Sequence, residues 1–596
     1  MHVVATAGHV DHGKSTLVRA LTGMEPDRFA EEKRRGMTID LGYAWTRIGD
    51  DDLAFVDVPG HERFIASMLA GLGPAPAVLF VVAADEGWRR QSEEHLAAVD
   101  ALGLTTGLLV VTRSDLADPA HATAEALARI ARSSLGQVDA VAVSGATGAG
   151  LPALRTALAR LVATLPVPRT SGRVRLWVDR AFTIRGAGTV VTGTLGAGAL
   201  AVGDTLRLHD RDVTVRGLQC LGADRSRVEA VARVAVNLRG VEVDAVGRGD
   251  TLLTPGAWPS TAVLDVRCRP HASGADGVEV ADLPTELVAH LGTAAVPARL
   301  RPLGAEMVRL TLSHPLPAEP GDRLVLRDPG RHAVAAGVVV LDADPPPLNR
   351  RGAAVARAGA LAEVTAADPA AALAEQVRRR GAVRRTDLVT LGLDPDATAD
   401  VHVQGDWLID PATWLRWQTG LAEAVDAHAA RTPLDPRLSA EAARRQVGVP
   451  DRDLLAAAAA AAGLAYADGR VSRPHTDAGL GAAEPGLAAL EAHLTVRPFA
   501  APERPQLDGW RLGVPELAAA ERLGRVVRLG PDVVLLPSGP ARAMRVLAAL
   551  PQPFTTSEAR QALDTTRRVA IPLLELLDRR GWTIRVDGGH RRVKQR

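Results

Sequence analysis

The chain contains few cysteines, few lysines and few aromatic residues. Its two cysteines, Cys220 and Cys268, form no CxxC pair or Cys/His cluster. This argues against a disulfide framework and a zinc ribbon, so we interpret both as small buried hydrophobic residues. No apolar run is long enough to cross a bilayer, and no signal-peptide pattern is present near residue 1. We therefore expect a cytoplasmic protein that does not contact the membrane.

Arginine supplies almost all of the positive charge. Lysine occurs only at Lys14, Lys33 and Lys594 among 70 basic residues, and the formal net charge is +1. The charge is distributed unevenly, because residues 541–596 hold twelve Lys or Arg against five Asp or Glu. A basic terminal segment of this kind predicts a surface that binds a polyanion. A length of 596 residues predicts three or more domains.

The first motif is a phosphate-binding loop. An apolar strand predicted at 2–7 runs into GHVDHGKST, and an apolar helical pattern follows. The spacing G-x-x-x-x-G-K-S lets backbone N–H groups surround phosphates, places Lys14 on the β- and γ-phosphate oxygens and offers Ser15 to Mg²⁺. A structural glycine turn is the alternative, which the flanking strand and helix disfavour. The nucleotide contacts predicted from this motif are Gly8, His9, Val10, Asp11, His12, Gly13, Lys14, Ser15 and Thr16.

The second motif, D-V-P-G-H, ends an apolar strand predicted at 53–58. We expect Asp57 to hold Mg²⁺ through water and Gly60 to approach the γ-phosphate. Thr38 lies on a polar segment between the two motifs and is expected to complete the Mg²⁺ shell when GTP is bound. His61 is expected to orient the attacking water, because GTP hydrolysis depends on in-line positioning. A purely structural histidine is the alternative.

Two further loops are predicted to recognise the base. Strands predicted at 107–111 and 138–143 lead into TRSD and SGA. Asp115 can accept two hydrogen bonds from the N1–H and N2–H₂ edge of guanine, which adenine lacks, so we expect GTP and GDP as ligands. The usual form of the first loop is N-K-x-D, and here the aliphatic stem of Arg113 is expected to pack over the base as lysine would. The residues predicted to form these loops are Thr112, Arg113, Asp115, Ser144, Gly145 and Ala146.

The motifs GHVDHGKST and D-x-P-G-H resemble those of the translational GTPases. RRGMTIDLGY at 34–43 and T-x-x-D at 112–115 resemble the bacterial selenocysteine-specific elongation factors, and VDRAFTIRGAGTVVTGT at 178–194 and GDRLVLRD at 321–328 extend the resemblance to about residue 345. It implies a GTPase that uses Mg²⁺ and delivers selenocysteyl-tRNA to the ribosome at UGA codons. We expect the factor to be a monomer.

The resemblance also implies an aminoacyl pocket. Its residues map here to Tyr43, Asp179, Arg180 and Arg233. A selenol is largely anionic at neutral pH, whereas the serine hydroxyl is neutral. Two guanidinium groups would therefore favour selenocysteine over serine, because buried arginines without an anion would lack compensation. Surface arginines on a barrel are the alternative.

The predicted fold class is multidomain, with an α/β P-loop G domain, two β-barrels and a C-terminal array of four α+β winged helices. Short alternating apolar runs broken by glycine and proline indicate the barrels. After a proline-rich linker at 342–352, a helical stretch is followed by a hairpin four times, near 401–409, 464–472, 525–537 and 582–594. The predicted domains are 1–170, 171–260, 261–345 and 350–596.

The last winged helix carries the basic surface. A helix predicted at 565–581 has an apolar face containing Val569, Leu573, Leu576 and Leu577, and the following wing adds Arg585 and Lys594. Winged helices commonly bind DNA, but the resemblance implies that this one binds an mRNA hairpin. A solvated basic face without a ligand is the alternative. The predicted RNA contacts are Arg567, Arg568, Arg579, Arg580, Arg591 and Arg592.

Two other functions fit part of the sequence. Another translational GTPase, such as a general elongation factor or a sulfate-activating GTPase subunit, shares the G domain and the barrels but does not explain the winged repeats. A GTP-regulated winged-helix DNA-binding protein explains the repeats but not the barrels.

Overall fold

The computed structural model describes residues 1–26, 38–270, 279–365, 368–397, 399–474 and 480–594. Residues 34–37 of the motif at 34–43 therefore lie outside the described residues. No described helix is long and apolar enough to cross a membrane. The chain divides into two compact units, Met1–Leu408 and Ile409–Arg596, which are described separately.

The G domain is a mostly parallel sheet with helices around it. The strand order is β2-β3-β1-β4-β5-β6, and only β2 pairs antiparallel, with β3. Strand β4 is buried along its whole length, as an apolar central strand covered on both faces should be. The strands are β1 (His2–Ala7), β2 (Gly42–Ile48), β3 (Asp51–Asp57), β4 (Ala77–Ala83), β5 (Gly107–Thr112) and β6 (Asp139–Ala142). The helices are α1 (Lys14–Thr22), α2 (Ile65–Leu72), α3 (Arg90–Ala101), α4 (Ala120–Ile130) and α5 (Leu151–Ala163).

Two antiparallel barrels follow. In the first, the order β10-β15-β7-β8-β14-β11-β12 closes through pairing of β10 with β11. Its strands are β7 (Arg175–Ile184), β8 (Gly188–Leu195), β9 (Ala199–Ala201), β10 (Thr205–Leu208), β11 (Arg211–Cys220), β12 (Ala223–Arg225), β13 (Arg227–Glu229), β14 (Ala232–Arg239) and β15 (Thr251–Leu253). The second closes as β16-β19-β18-β17-β20-β21. Its strands are β16 (Thr261–Pro270), β17 (Glu286–Leu291), β18 (Ala294–Pro302), β19 (Met307–Leu316), β20 (Arg323–Asp328) and β21 (Ala333–Asp342).

Both cysteines lie in the barrels as buried hydrophobic residues. Cys220 packs in the core of the first barrel and Cys268 in that of the second. Burial raises the pKa of both thiols, that of Cys268 to about 12. The prediction of two unpaired, buried cysteines is confirmed.

The first winged helix lies mostly in the first unit. Its small sheet has the order β22-β24-β23. A helix, α6 (Ala353–Leu361), precedes it. Its own elements are α7 (Pro369–Arg380), β22 (Ala382–Arg384), α8 (Arg385–Thr390), β23 (His402–Gln404) and β24 (Trp407–Ile409).

A buried ion network joins this helical region to the second barrel. Arg357 on α6 donates to Asp265 of β16 at 2.7 Å, to Glu375 of α7 at 2.6 Å and to Asp342 of β21 at 2.5 Å. Arg309 of β19 also donates to both oxygens of Asp265. All five side chains are less than one-tenth exposed.

The second unit contains three further sets of helices, each followed by a hairpin. Its first set is α9 (Pro411–Arg431), β25 (Leu438–Ser439), α10 (Ala440–Val447), α11 (Arg452–Ala461), β26 (Ala465–Ala467) and β27 (Arg470–Ser472). Its second set is α12 (Glu484–Val496), α13 (Arg504–Gly509), α14 (Val514–Arg522), β28 (Val527–Gly530) and β29 (Val533–Leu535). Its third set is α15 (Gly539–Ala548), β30 (Phe554–Thr555), α16 (Thr556–Ala562), α17 (Arg567–Arg579), β31 (Thr583–Arg585) and β32 (His590–Val593).

The predicted fold class is confirmed. The four hairpins of the C-terminal region lie within one or two residues of their predicted positions. On α17, Leu574 is fully buried, whereas Leu576 is only half-buried, so the apolar face is rotated slightly from the predicted one. The predicted boundaries near 170, 260 and 345 fall between elements, and the exact domain limits stay a prediction.

Candidate nucleotide site and aminoacyl pocket

Four loops meet at one edge of the G-domain sheet. Because β1, β3, β5 and β6 run parallel, the loops at their carboxyl ends converge, as they do in other open α/β sheets that bind ligands. These loops surround a cavity of about 470 Å³, a size suited to a nucleotide. It is lined by Val10, Asp11, Gly13, Lys14, Ser15, Thr16, Leu17, Thr38, Gly60, Thr112, Arg113, Asp115, Leu116, Gly145 and Ala146.

Glycine is required at two positions of this site. At Gly8, φ is 135° and a Cβ atom would lie 2.1 Å from the carbonyl oxygen of Val81. At Gly60, a Cβ atom would lie 2.5 Å from the backbone nitrogen of Val10 and 2.6 Å from Nζ of Lys14. The two phosphate motifs therefore approach each other more closely than any side chain would allow.

Lys14 is held at the centre of the loop. It is 6% exposed, and its Nζ donates to the carbonyl oxygens of Gly8 at 2.9 Å and His9 at 2.7 Å. These bonds fix the ammonium group beneath the cavity, where it faces the same space as the loop N–H groups.

Three oxygen-bearing side chains converge beside Lys14. The hydroxyl of Ser15 lies 2.7 Å from Oδ2 of Asp57 and 2.9 Å from Oγ1 of Thr38. Thr6 donates to Oδ1 of Asp57 at 2.7 Å and so orients the carboxylate. Hydroxyl and carboxylate oxygens are the ligands that Mg²⁺ prefers, and one carboxylate with two hydroxyls is the kind of partial shell that Mg²⁺ shares with phosphates. These residues fit a magnesium ion.

The base-recognition loop is bonded to the phosphate loop. Oγ1 of Thr112 donates to the carbonyl oxygen of His12 at 2.7 Å. Arg113 donates to the carbonyl oxygen of Asp11, to both oxygens of Asp85 at 2.9 and 3.2 Å, and to Glu86 at 2.8 Å. The guanidinium group is therefore anchored at the rim of the cavity, which Asp115 also lines, and the packing of Arg113 over a base stays a prediction.

Several predicted residues support the cavity without lining it. Ser144 is fully buried, and its hydroxyl accepts from the backbone of Thr147 at 3.1 Å, which shapes the SGA loop. Its direct contact with nucleotide is not supported by this placement. The other predicted residues behind the lining are Gly8, His9, His12 and Asp57.

His61 lies at the start of a short 3-10 helix, Glu62–Phe64. Its Nδ1 accepts from the backbone N–H of Arg63 at 3.2 Å, and its ring is half-buried beside Phe64. The imidazole is thus oriented through one nitrogen, adjacent to Gly60 in the chain.

Two side chains of α3 were missed by the sequence reasoning. Nδ1 of His95 accepts from the N–H of Gly8 at 3.0 Å, and Oε1 of Gln91 accepts from the N–H of Val10 at 3.1 Å. Burial lowers the pKa of His95 to about 3 and that of His12 to about 3, so both rings are neutral. The available signal was the four-residue spacing of Gln91 and His95, which places them on one face of a helix.

Three of the predicted aminoacyl residues surround a second cavity, of about 310 Å³. Tyr43, Arg180 and Arg233 line it together with Phe182, Thr192 and other side chains. Asp179 lies behind the lining and holds Arg233 with two hydrogen bonds, while the guanidinium of Arg233 lies 3.8 Å from the ring centre of Tyr43.

Three arginines of this cluster bond to two of its carboxylates. Arg180 and Arg248 both bond to Asp40, and Arg248 also donates to Ser67 at 2.7 Å. Burial raises the pKa of the Asp40 carboxyl, but the hydrogen bond and charge of Arg248, the backbone of Leu41 and the charge of Arg180 together outweigh burial, so the pKa lies below its usual value. Among the described residues, the guanidinium groups of Arg180, Arg233 and Arg248 thus bond to two carboxylates, those of Asp40 and Asp179.

Two of the predicted RNA contacts are corrected by the structure. Arg591 is 5% exposed and donates to Asp578 at 2.9 Å, and Arg568 donates to the carbonyl oxygens of Ala501, Pro502 and Asp532. Because these guanidinium groups are bonded within the fold, they act as structural side chains. The four that remain exposed on α17 and the wing are Arg567, Arg579, Arg580 and Arg592.

Three segments of the chain match models of known protein families. Residues 1–164 match the family model described as the elongation factor Tu GTP binding domain. Residues 284–347 match the selenocysteine-specific elongation factor β-barrel domain, and residues 545–592 match the elongation factor SelB winged helix. Elongation factor Tu 2 of Streptomyces avermitilis is 30% identical, over 56% of this chain and 95% of that protein.

The chain belongs to the elongation factor family of translational GTPases. Within that family it is of the SelB type, because the barrel and winged-helix models both carry that description. A selenocysteine-specific elongation factor of Desulfomicrobium baculatum is 37% identical, over 59% of this SelB-type chain and 56% of that protein. The chain thus spans about half the length of the curated selenocysteine-specific relatives it matches.

A solved structure has the same overall fold. The crystal structure of a bacterial selenocysteine-specific elongation factor, EF-Sec, matches all of this SelB-type chain and all of its own chain, with a TM-score of 0.73 and 24% sequence identity.

Proposed function

We propose that this SelB-type factor binds GTP, hydrolyses it to GDP and phosphate, and delivers selenocysteyl-tRNA to the ribosome at UGA codons in the cytoplasm. The observation that carries the proposal is the pairing of a guanine-nucleotide cavity with an arginine-lined pocket in one compact unit. Asp115 accepts from the guanine edge, and Lys14 holds the β- and γ-phosphates.

Magnesium is the cofactor that this chemistry requires. Ser15 and Thr38 would bind it directly and Asp57 through water, as their convergent oxygens indicate. When bound, Mg²⁺ neutralises developing charge on the phosphates. His61 orients the attacking water for in-line attack, and its Nδ1 bond to the backbone of Arg63 sets the direction of Nε2.

The two guanidinium groups that line the aminoacyl pocket, those of Arg180 and Arg233, select the cargo. A selenolate brings a negative charge to these arginines, whereas a serine hydroxyl brings none to a site where Arg233 is almost buried. Tyr43 stacks on Arg233 and so fixes the plane of the guanidinium group.

Attachment of the winged helices to a tRNA-delivering GTPase favours RNA as their ligand. The match of residues 545–592 to the SelB winged helix supports an mRNA hairpin rather than duplex DNA. Exposed Arg567, Arg579, Arg580 and Arg592 provide the phosphate contacts.

The decisive experiment measures GTP-dependent protection of the aminoacyl ester bond in selenocysteyl-, cysteinyl- and seryl-tRNA. We expect protection with GTP but not with GDP. The affinity for selenocysteyl-tRNA should exceed that for seryl-tRNA by at least about a hundredfold, which is about 2.7 kcal/mol. Equal protection of the three tRNAs would refute the cargo assignment and leave a general elongation factor.

A paired set of variants separates the pocket from the barrel. Replacing Arg180 and Arg233 with glutamine should remove the preference for selenocysteyl-tRNA while retaining GTP binding. Arg216→Gln is the matched control, because Arg216 is an exposed arginine of β11 that bonds only to a carbonyl oxygen among the described residues.

A further inference from the structure

A third cavity lies between the G domain and the second barrel. It encloses about 650 Å³ and is lined by three arginines, Arg267, Arg269 and Arg323. Its other wall comes from the end of α3 and from the turn after α4, with Asp100, Thr105, Ser133 and Ser134. It shares no lining residue with the nucleotide cavity or the aminoacyl pocket.

Strand register explains why the arginines lie together. Arg267 of β16 and Arg323 of β20 both pair with Val339 of β21, one from each side, and Arg269 pairs with Gly337. Residues at these positions share one face of the sheet, because side chains alternate along a strand. The intervening residues, Val266, Cys268, Leu324 and Val338, are buried in the barrel core, so the arginines occupy its outer face.

The G domain covers this basic surface closely. Gly103 has φ of 60°, and a Cβ atom there would lie 1.8 Å from Nη1 of Arg323, so the guanidinium group passes directly over the glycine. On the same face, a Cβ atom at Gly337 would lie 2.4 Å from the carbonyl oxygen of Ala101. Two glycines thus allow the two domains to meet closely beside the arginines, of which Arg269 and Arg323 stay exposed to solvent.

The guanidinium groups are incompletely paired. Nε of Arg267 is buried and has no hydrogen-bond partner, although it pairs with the Glu306 carboxylate at 3.8 Å and Nη2 donates to the carbonyl oxygen of Ala362 at 3.0 Å. Within the described ranges of the chain, Arg269 and Arg323 form no ion pair. A buried donor without a partner is uncommon in folded proteins and is readily satisfied by a bound anion.

We propose that this cleft, the inter-domain arginine cleft, binds a small organic phosphate of nucleotide size. Arginine forks match phosphate oxygens, and three of them, opposed by Asp100 in the lining and by Glu306 beside Arg267, favour an anionic ligand. Val339 and Leu341 provide an apolar strip beside the arginines, which suits the base and sugar of a nucleotide. The volume is larger than an inorganic phosphate requires.

Calorimetric titration with adenosine 3′,5′-bisphosphate tests the proposal. The guanine site is first saturated with GDP and Mg²⁺, so that the added ligand reports on another site. We expect saturable binding that adenosine, which lacks phosphate, does not show. Absence of binding to the wild-type chain at millimolar concentrations would overturn the proposal.

Variants locate the binding. Arg269→Gln combined with Arg323→Gln should weaken the bisphosphate at least about tenfold, since two charged hydrogen-bonding groups are lost. Arg299→Gln, an exposed arginine of the same barrel, should leave binding unchanged. Unaltered thermal midpoints without ligand would show that the double variant is folded, and equal binding by the double variant would refute the site.

An RNA chain presents the same phosphate chemistry as a free nucleotide, so a ten-nucleotide single-stranded RNA forms a second arm of the test. The proposal expects the RNA to bind the double variant and the wild-type chain equally. Binding of the RNA alone, lost in the double variant, would replace the small-molecule assignment with an RNA-backbone contact.

Discussion

The nucleotide site is built from side chains that each hold a neighbouring group in place. Asp57 is oriented by Thr6, and the N–H of Gly8 is held by His95. His61 has its Nδ1 bonded to the backbone of Arg63, which leaves its other nitrogen for water. Changes at these residues should therefore affect separate steps.

Replacement of His61 should impair hydrolysis rather than binding. We expect His61→Ala to lower the rate of GTP hydrolysis by about a hundredfold, the usual scale for a positioning or acid–base side chain, with little change in GDP affinity. Single-turnover hydrolysis and titration of a fluorescent GDP analogue measure the two quantities. A parallel loss of rate and affinity would indicate a structural role for His61.

Acidification should destabilise the G domain through His95. Burial lowers the pKa of His95 to about 3, below the unfolded value of 6.5, so between these values the unfolded state binds more protons. The stability associated with the neutral ring is complete above about pH 6.5 and is lost as the pH falls toward 3, at about 1.4 kcal/mol per pH unit.

His95→Gln provides the comparison, because glutamine can accept from Gly8 but does not titrate. Calorimetry at about pH 7 and about pH 5 should show a smaller fall in the melting temperature for this variant than for the wild type. Burial also lowers the pKa of His12 to about 3, so His12 contributes part of the fall in melting temperature in both proteins. An identical fall would show that His95 does not contribute.

The residues of the nucleotide site were largely predictable, because a phosphate loop has its chemistry within a few consecutive positions. Which arginines of the last winged helix are exposed was less predictable. Arg568 and Arg591 look identical to their neighbours in the sequence, yet they bond to Pro502 and Asp578, which only the folded chain brings near. Asp85 and Glu86 likewise become partners of Arg113 only in the fold.

At the scale of elements, strand register and helix packing create sites that no local sequence motif predicts. The inter-domain arginine cleft depends on β16, β20 and β21 being neighbours in the barrel, although β16 and β20 are more than fifty residues apart. The ion network around Arg357 similarly needs α6 to lie across β16 and β21.

Removal of Arg357 should strongly destabilise the first unit. Arg357→Met leaves the buried carboxylates of Asp265 and Asp342 without part of their compensation, and breaking a buried ion network in this way costs about 3–5 kcal/mol. Scanning calorimetry should show a clearly lower melting temperature for the variant than for the wild type.

Arg378→Met is the matched control. Arg378 also pairs with Glu375 and lies on the same helix as that glutamate, α7, but its side chain is 60% exposed. We expect a change of less than about 1 kcal/mol. Equal effects of the two substitutions would mean that the network around Arg357 adds nothing beyond a surface ion pair.

At the scale of the whole molecule, the SelB-type chain combines a net charge close to zero with a strongly basic terminal segment. The formal charge is +1 for 596 residues, but the twelve basic residues at 541–596 are opposed by only five acidic ones. The proposed RNA-binding surface can therefore operate without making the entire protein attract polyanions.

The salt dependence of RNA binding should report on the exposed arginines. Arg579→Gln combined with Arg580→Gln should lower the affinity of the full chain for an RNA hairpin and reduce the slope of log affinity against log salt by about one to two. Fluorescence anisotropy with a labelled hairpin measures both. Arg497→Gln, an exposed arginine of the same unit outside the last winged helix, is the control. An unchanged slope would exclude both residues as phosphate contacts.

The bonds from Thr112 and Arg113 to the carbonyl oxygens of His12 and Asp11 have a consequence for protein engineering. A variant designed to accept a different purine must alter the TRSD loop, and that loop cannot move without displacing the backbone that surrounds the phosphates. The effects of such substitutions on base preference and on turnover will not add independently. Orthogonal versions of this switch are therefore best selected as combined libraries of both loops.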